Sequence, residues 1–213
     1  MQYFMDNKRV VPAAAGLSVF ILIAYFVATR DVLTFDSVLC ESVYAMRSAG
    51  LTTFFTAVTY LGNWQTVTSV CVVLLILPQT RLGFGIPSSV SAILATLTQK
   101  ALKLSFQRAR PDLSLHLISQ GGYSFPSGHS FTVLIFYGML IWLCRNHIKN
   151  RTAVNLITML LCCLIALIGF SRIYLGVHFP TDVLGGWSLG LCMLMILISC
   201  VQYFSQKRSD RYE

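Results

Sequence analysis

Six long apolar runs, parted by short polar connections, restrict this chain more than any other feature of its sequence. They cover about Val10–Ala28, Trp64–Leu77, Leu82–Leu104, His129–Cys144, Ala153–Phe170 and Asp182–Phe204. Their apolar residues come in long runs and not as amphipathic stripes, as a helix in a hydrocarbon core of about 30 Å requires. The second run is short, is ended by Pro78 and borrows from Tyr60 and Leu61. Pro12 falls near the start of the first, where a helix tolerates it. Composition agrees: 55% of residues are hydrophobic and 11% charged, against roughly 45–50% and 25% in soluble domains. The expected fold class is therefore all-α, an integral membrane bundle of six transmembrane helices. One domain is expected over residues 1–213.

Thr29–Asn63 breaks the pattern. Arg30, Asp31, Asp36, Glu41 and Arg47 are spaced among hydrophobic residues, which predicts one or two amphipathic helices lying at the interface between spans 1 and 2. Six spans place both termini on one side. Lys8-Arg9, Arg81, the Arg145–Arg151 connection and the tail with Lys207, Arg208 and Arg211 then share a face, which the positive-inside bias makes cytoplasmic. The amphipathic segment and the loops Ser105–Pro126 and Ser171–Thr181 fall on the extracytoplasmic side. The formal charge of +8 follows from this bias and from anionic headgroups, since no basic tract points to nucleic acid. The first run has no small-residue cleavage site and reads as a retained span. Six of the seven cysteines lie in or beside apolar runs, and Cys40 falls in the polar connection, so no disulfide framework emerges. Gly186 and Gly190, four apart in the last run, mark close helix packing.

The polar residues that remain gather in three blocks. Lys103 ends the third run, with Arg110-Pro111 seven residues on; Gly122–His129 is a turn-rich corner opening the fourth; Ser171-Arg172, His178 and Asp182 join the fifth to the sixth. Lys103, Arg110 and Arg172 singly are interface anchors, but three cations on one loop face make a pocket for a phosphate dianion. The Ser127 hydroxyl and the Gly128 N–H at a helix start would add donors. Asp182 lies four residues after His178, so it can fix that ring's tautomer and leave the other nitrogen free to attack; His129 is placed to protonate a leaving oxygen.

Three chemistries can use this set. A Ser127–His178–Asp182 hydrolase lacks the G-x-S-x-G elbow and has no use for three cations. A metal hydrolase could ligate through His116, His129, His178 and Asp182, but the cations would repel the ion. A nucleophilic His178 with His129 as acid suits the charge pattern, needs no metal or other cofactor, and is preferred. The rival class is a non-catalytic lipid binder or transporter, which would need the cations alone.

Lys103-x6-Arg110-Pro111, Pro126-Ser127-Gly128-His129 and Ser171-Arg172-x5-His178-x3-Asp182 together resemble the tripartite signature of the type 2 phosphatidic acid phosphatase superfamily. Its members include bacterial phosphatidylglycerophosphate and undecaprenyl pyrophosphate phosphatases and soluble vanadium haloperoxidases. The motif-bearing core is residues 103–182. The resemblance implies His178 as nucleophile through a phosphohistidine, Asp182 as its orienter and His129 as general acid. It implies that Lys103, Arg110, Ser127, Gly128 and Arg172 hold the phosphate of a membrane lipid. Arg108 is either an assisting cation or a solvated loop charge, and His116 and Tyr123 are either contacts to the headgroup or diphosphate or ordinary surface-loop residues.

Overall fold

The computed structural model describes residues 5–30 and 32–209; Asp31 and Arg211 lie outside them. All regular structure among the described residues is helical: α1 (Asn7–Arg30), α2 (Thr34–Ala45), α3 (Ala49–Tyr60), α4 (Trp64–Ile76), a single turn α5 (Pro78–Thr80), α6 (Ile86–Phe106), α7 (Gly128–His147), α8 (Arg151–Tyr174) and α9 (Pro180–Ser209). The tight turn expected at Arg81 is a π-helical turn, Arg81–Gly85, that leads directly into α6. Because α1 begins at Asn7, Pro12 sits in its second turn and removes the bond to the Lys8 carbonyl.

Helices α1, α7, α8 and α9 are each long and apolar enough to cross a membrane. The second expected span is different. With 13 residues, α4 reaches only about 20 Å at 1.5 Å per residue, short of the core. It follows α3 across a 43° bend, and the pair together forms a fifth candidate. The third expected span is α6, whose 21 residues carry Ser88, Ser91, Gln99, Lys100 and Lys103. These polar residues keep it out of that set, so the described residues hold four or five candidate spans of the six expected.

Helix α7 is the axis of the bundle. Phe131, Val133, Ile135, Phe136 and Met139 are all completely buried, facing α4 and α8 on one side and α6 and α9 on the other. A helix apolar on every side belongs in such a centre. Gly186 and Gly190 let α9 approach it closely, for a Cβ at Gly186 would lie 2.8 Å from the Ser127 carbonyl oxygen. That approach sets the N-terminus of α9 beside that of α7. The amphipathic segment is two helices: α2 turns Asp36, Cys40 and Val43 inward and leaves Phe35 and Val38 exposed. Cys40 is thus buried in a helix and not in a polar connection, and the cysteines are free thiols.

Candidate active site

Each motif block is fastened by local chemistry. Gln107 ends α6 in the left-handed conformation, its N–H bonded to the Lys103 carbonyl, and this turns Arg108 inward. The Gly122–His129 corner is pinned by Phe125, fully buried and stacked on Phe20 of α1 with ring centroids 5.8 Å apart. Ser127 caps α7 by accepting from Ser130 N, while its own N–H donates to the Asp182 carbonyl at 3.0 Å. Helix α8 runs to Tyr174, so Ser171 and Arg172 occupy its last turns and not a loop; both are buried. Gly176 has φ +77°, and a Cβ there would lie 2.2 Å from the Leu115 carbonyl oxygen, so this sharp turn requires glycine. Helix α9 starts only at Pro180, which leaves His178 in the preceding turn with its N–H on the Arg172 carbonyl.

These devices converge on a cavity of about 850 Å³ between α4, α6 and α7. Lys103, Arg110, Gly128, His129 and His178 line its polar end, and Val67, Val72, Leu75, Ile93 and Leu97 belong to its apolar flank. Three expected residues stand back from it. Asp182 sits behind His178, its Oδ2 3.2 Å from His178 Nδ1, and accepts from the Ser124 hydroxyl and from Phe179 N at 2.8 Å. Arg172 donates to Thr59 Oγ1 and to Gln120 Oε1, each at 2.6 Å, while its Nε has no acceptor among the described residues. The Ser127 hydroxyl oxygen accepts from Ser130 N and from the Ser130 hydroxyl in the helix cap.

His178 Nε2 faces the cations, 3.1 Å from Arg110 Nη1. Burial, then the charges of Arg110, Lys103, Arg172 and Arg108, hold this imidazole's pKa well below its ordinary value. It is therefore neutral at physiological pH. Arg110 is lowered to about 10, chiefly by burial, and remains charged. Its guanidinium donates to the carbonyls of Gly121, Gly122, Tyr123 and Val177, binding the loop to the His178 turn. Lys103 Nζ reaches the Tyr123 and Ser124 carbonyls. His129 Nε2 meets Asn63 Oδ1 at 2.7 Å, a contact set up by the bend between α3 and α4.

Several participants carry no motif. Arg108 is 2% exposed, which rules out the solvated loop charge; it donates to Asp182 Oδ1 and Asp36 Oδ2, each at 2.7 Å. Asp36 could be found from its spacing to Cys40 and Val43, four and then three residues, which puts a carboxylate on the buried stripe of α2. Ser124, Asn63 and Gln120 lie in turns where polar residues are ordinary, and nothing in the sequence marks them. His116 bonds the Pro111 carbonyl, and the side chains of His116 and Tyr123 stay outside the cavity lining. Among the described residues no three His, Cys, Asp or Glu side chains form a group that could hold a metal ion.

Comparison with known proteins accords with this geometry. The chain is 30% identical over 188 residues to phosphatidylglycerophosphatase B of Bacillus subtilis, covering 84% of this chain and 89% of that one. It is 31% identical over 132 residues to an undecaprenyl-diphosphatase of Sulfolobus acidocaldarius, covering 60% and 58%. The fold superposes on the crystal structure of a transmembrane PAP2-type phosphatidylglycerolphosphate phosphatase from Bacillus subtilis with TM-score 0.78 and 28% identity, over 91% of this chain and 96% of that one. Aquifex aeolicus LpxE gives TM-score 0.66 and 26% identity, over 79% and 98%. Residues 84–206, more than half of the sequence, match the PAP2 superfamily, and this chain is a membrane-embedded member of that family of phosphatases.

Proposed function

We propose that this protein is a metal-independent lipid phosphatase that works through a phosphohistidine on His178. The observation that carries the reading is the pairing of a buried, carboxylate-backed imidazole with cations at the polar end of a cavity whose flank is apolar. The terminal phosphoryl group is held by Lys103 and Arg110, with the Gly128 end of α7 offering its positive pole. Nε2 of His178 attacks phosphorus and forms the P–N bond. Asp182 keeps the Nδ1 proton in place and stabilises the positive ring. The P–O bond to the lipid breaks, and the leaving oxygen takes a proton from the imidazolium form of His129, which Asn63 Oδ1 orients, leaving that ring neutral. His129 then takes a proton from water, which attacks phosphorus and returns His178 and inorganic phosphate. Arg172 supports the loop through Gln120 and adds charge beneath the site.

The substrate class is a lipid phosphate or diphosphate, with phosphatidylglycerophosphate and undecaprenyl pyrophosphate first, as the names of the relatives favour. The tail lies along the apolar flank between α4 and α6. A full six-span passage, with α3–α4 and α6 completing the set, would put the site on the extracytoplasmic side and both termini in the cytoplasm.

The test is phosphate release from detergent-solubilised phosphatidylglycerophosphate, undecaprenyl pyrophosphate and phosphatidate, with EDTA present. Release by the unmodified chain and at least a thousandfold loss in His178→Ala, about the cost of removing a nucleophile, support the reading. No release from any lipid favours a non-catalytic binder, and release abolished by EDTA favours a metal hydrolase.

A further inference from the structure

The sequence places Asp36 in the amphipathic segment, far from every motif and outside residues 84–206. Yet it is completely buried, as is Asp182, and Arg108 between them is 2% exposed. A carboxylate withdrawn from water costs several kcal/mol unless it is paired and fully hydrogen-bonded. Asp36 meets that demand: Oδ2 accepts from Arg108 Nη2 and from the Thr181 hydroxyl, each at 2.7 Å, and Oδ1 accepts from Thr181 N at 2.9 Å. Arg108 Nη1 donates to the same Thr181 hydroxyl at 2.8 Å and to Asp182 Oδ1 at 2.7 Å. The Phe179 ring covers the guanidinium, with its centroid 4.4 Å away. So α2 holds one tine of the Arg108 fork and Asp182 holds the other.

We propose that Asp36 is a positioning residue for the reaction, acting on His178 through Arg108 and Asp182. This role rests on the phosphatase reading above and accounts for a carboxylate buried so deep in α2. Asp182 must divide its oxygens: Oδ1 to Arg108, Oδ2 to His178, Ser124 and Phe179 N. A guanidinium with one carboxylate partner prefers to take both of its oxygens. Asp36 engages the second amino group and prevents this, leaving Oδ2 to the imidazole. Asp36 lines no part of the cavity, so substrate binding does not depend on it.

The experiment is steady-state phosphate release by the full chain in detergent, on whichever of the three lipids the unmodified chain hydrolyses. Competition by inorganic phosphate is measured alongside, as a check that the anion site is intact. Asp36→Asn should lower kcat about 10–100-fold, the usual cost of losing a group that orients a directly acting residue. KM and the inhibition constant of phosphate should stay within about threefold. Arg108→Gln should lower kcat as well. Because Asp36 acts through Arg108, the double variant should match Arg108→Gln within about threefold. A kcat for Asp36→Asn within about twofold of the unmodified chain, or losses that multiply in the double variant, would overturn the proposal. Should Asp36→Asn no longer bind phosphate, Thr181→Val keeps both charges and removes the hydroxyl between them. It must then lower kcat, and an unchanged kcat overturns the idea equally. An unmodified chain that releases no phosphate defeats the phosphatase reading itself, and this proposal with it.

Discussion

Under the proposed mechanism His178 is neutral before it reacts and positive afterwards, and its surroundings divide the two tasks. Burial, and then the cations in front, depress its proton affinity, while Asp182 behind is placed to accommodate the charge that the proposed P–N bond would bring. The pH dependence follows. With its pKa held below the free value of about 6.5, the imidazole stays deprotonated through pH 6.5, so the acid limb of kcat/KM that belongs to His178 lies below that pH. Arg110→Gln removes the nearest cation and should move this limb to higher pH, as a profile on a short-chain phosphate ester would record. The same depression bears on stability. The unfolded chain takes up this proton first as pH falls, so the contribution is full above about 6.5 and is lost below it. Asn63 has a narrower task, fixing the ring of His129. Asn63→Ala should cost roughly tenfold in kcat, less than the 10²–10⁴ that a general acid, the role proposed for His129, contributes, with KM little changed; equal losses for Asn63→Ala and His129→Ala would contradict that division.

At the scale of elements, the site depends on how closely helix ends approach. Gly186→Ala would drive a methyl against the Ser127 carbonyl oxygen, 2.8 Å away, and backbone cannot swing aside as a side chain can. An overpacking cost of about 1–3 kcal/mol is expected, read as a lower thermal midpoint in detergent, and kcat should fall too because Ser127 N holds the Asp182 turn. Helix positions along the chain were legible because unbroken apolar runs have one solution in a bilayer. The runs mark α1, α7, α8 and α9 closely. They fall short at α4, a helix of 13 residues whose bent continuation α3 carries the mixed pattern of an interfacial helix, because hydropathy is blind to a bend. The motif residues were legible for a different reason: Lys103, Arg110, His129, His178 and Asp182 are chemically unusual where they stand. Asn63, Gln120 and Ser124 are not, and Asp36 is marked only as a carboxylate on the buried stripe of α2. Their contribution is a matter of tertiary distance, and Asp36 meets Arg108 across 72 residues of sequence.

For the whole molecule, the organising fact is a cavity with a charged end and an apolar side. Ile93 and Val72, from α6 and α4, flank it and are themselves partly exposed at the bundle surface. Ile93→Trp should narrow the flank. A rise in KM of about tenfold is expected for a long-chain lipid phosphate, with little change for a short, water-soluble ester, since each buried methylene contributes about 0.8 kcal/mol. Equal effects on both substrates would place the tail elsewhere. Such a cavity also borders two solvents whose concentrations are counted differently. On the proposed reading inorganic phosphate departs to water, where moles per litre govern its return, whereas the dephosphorylated lipid departs sideways into a two-dimensional fluid, where only mole fraction matters. Inert lipid added to the vesicles would therefore slow the enzyme at constant bulk substrate, and added phosphate would compete without regard to how crowded the membrane is.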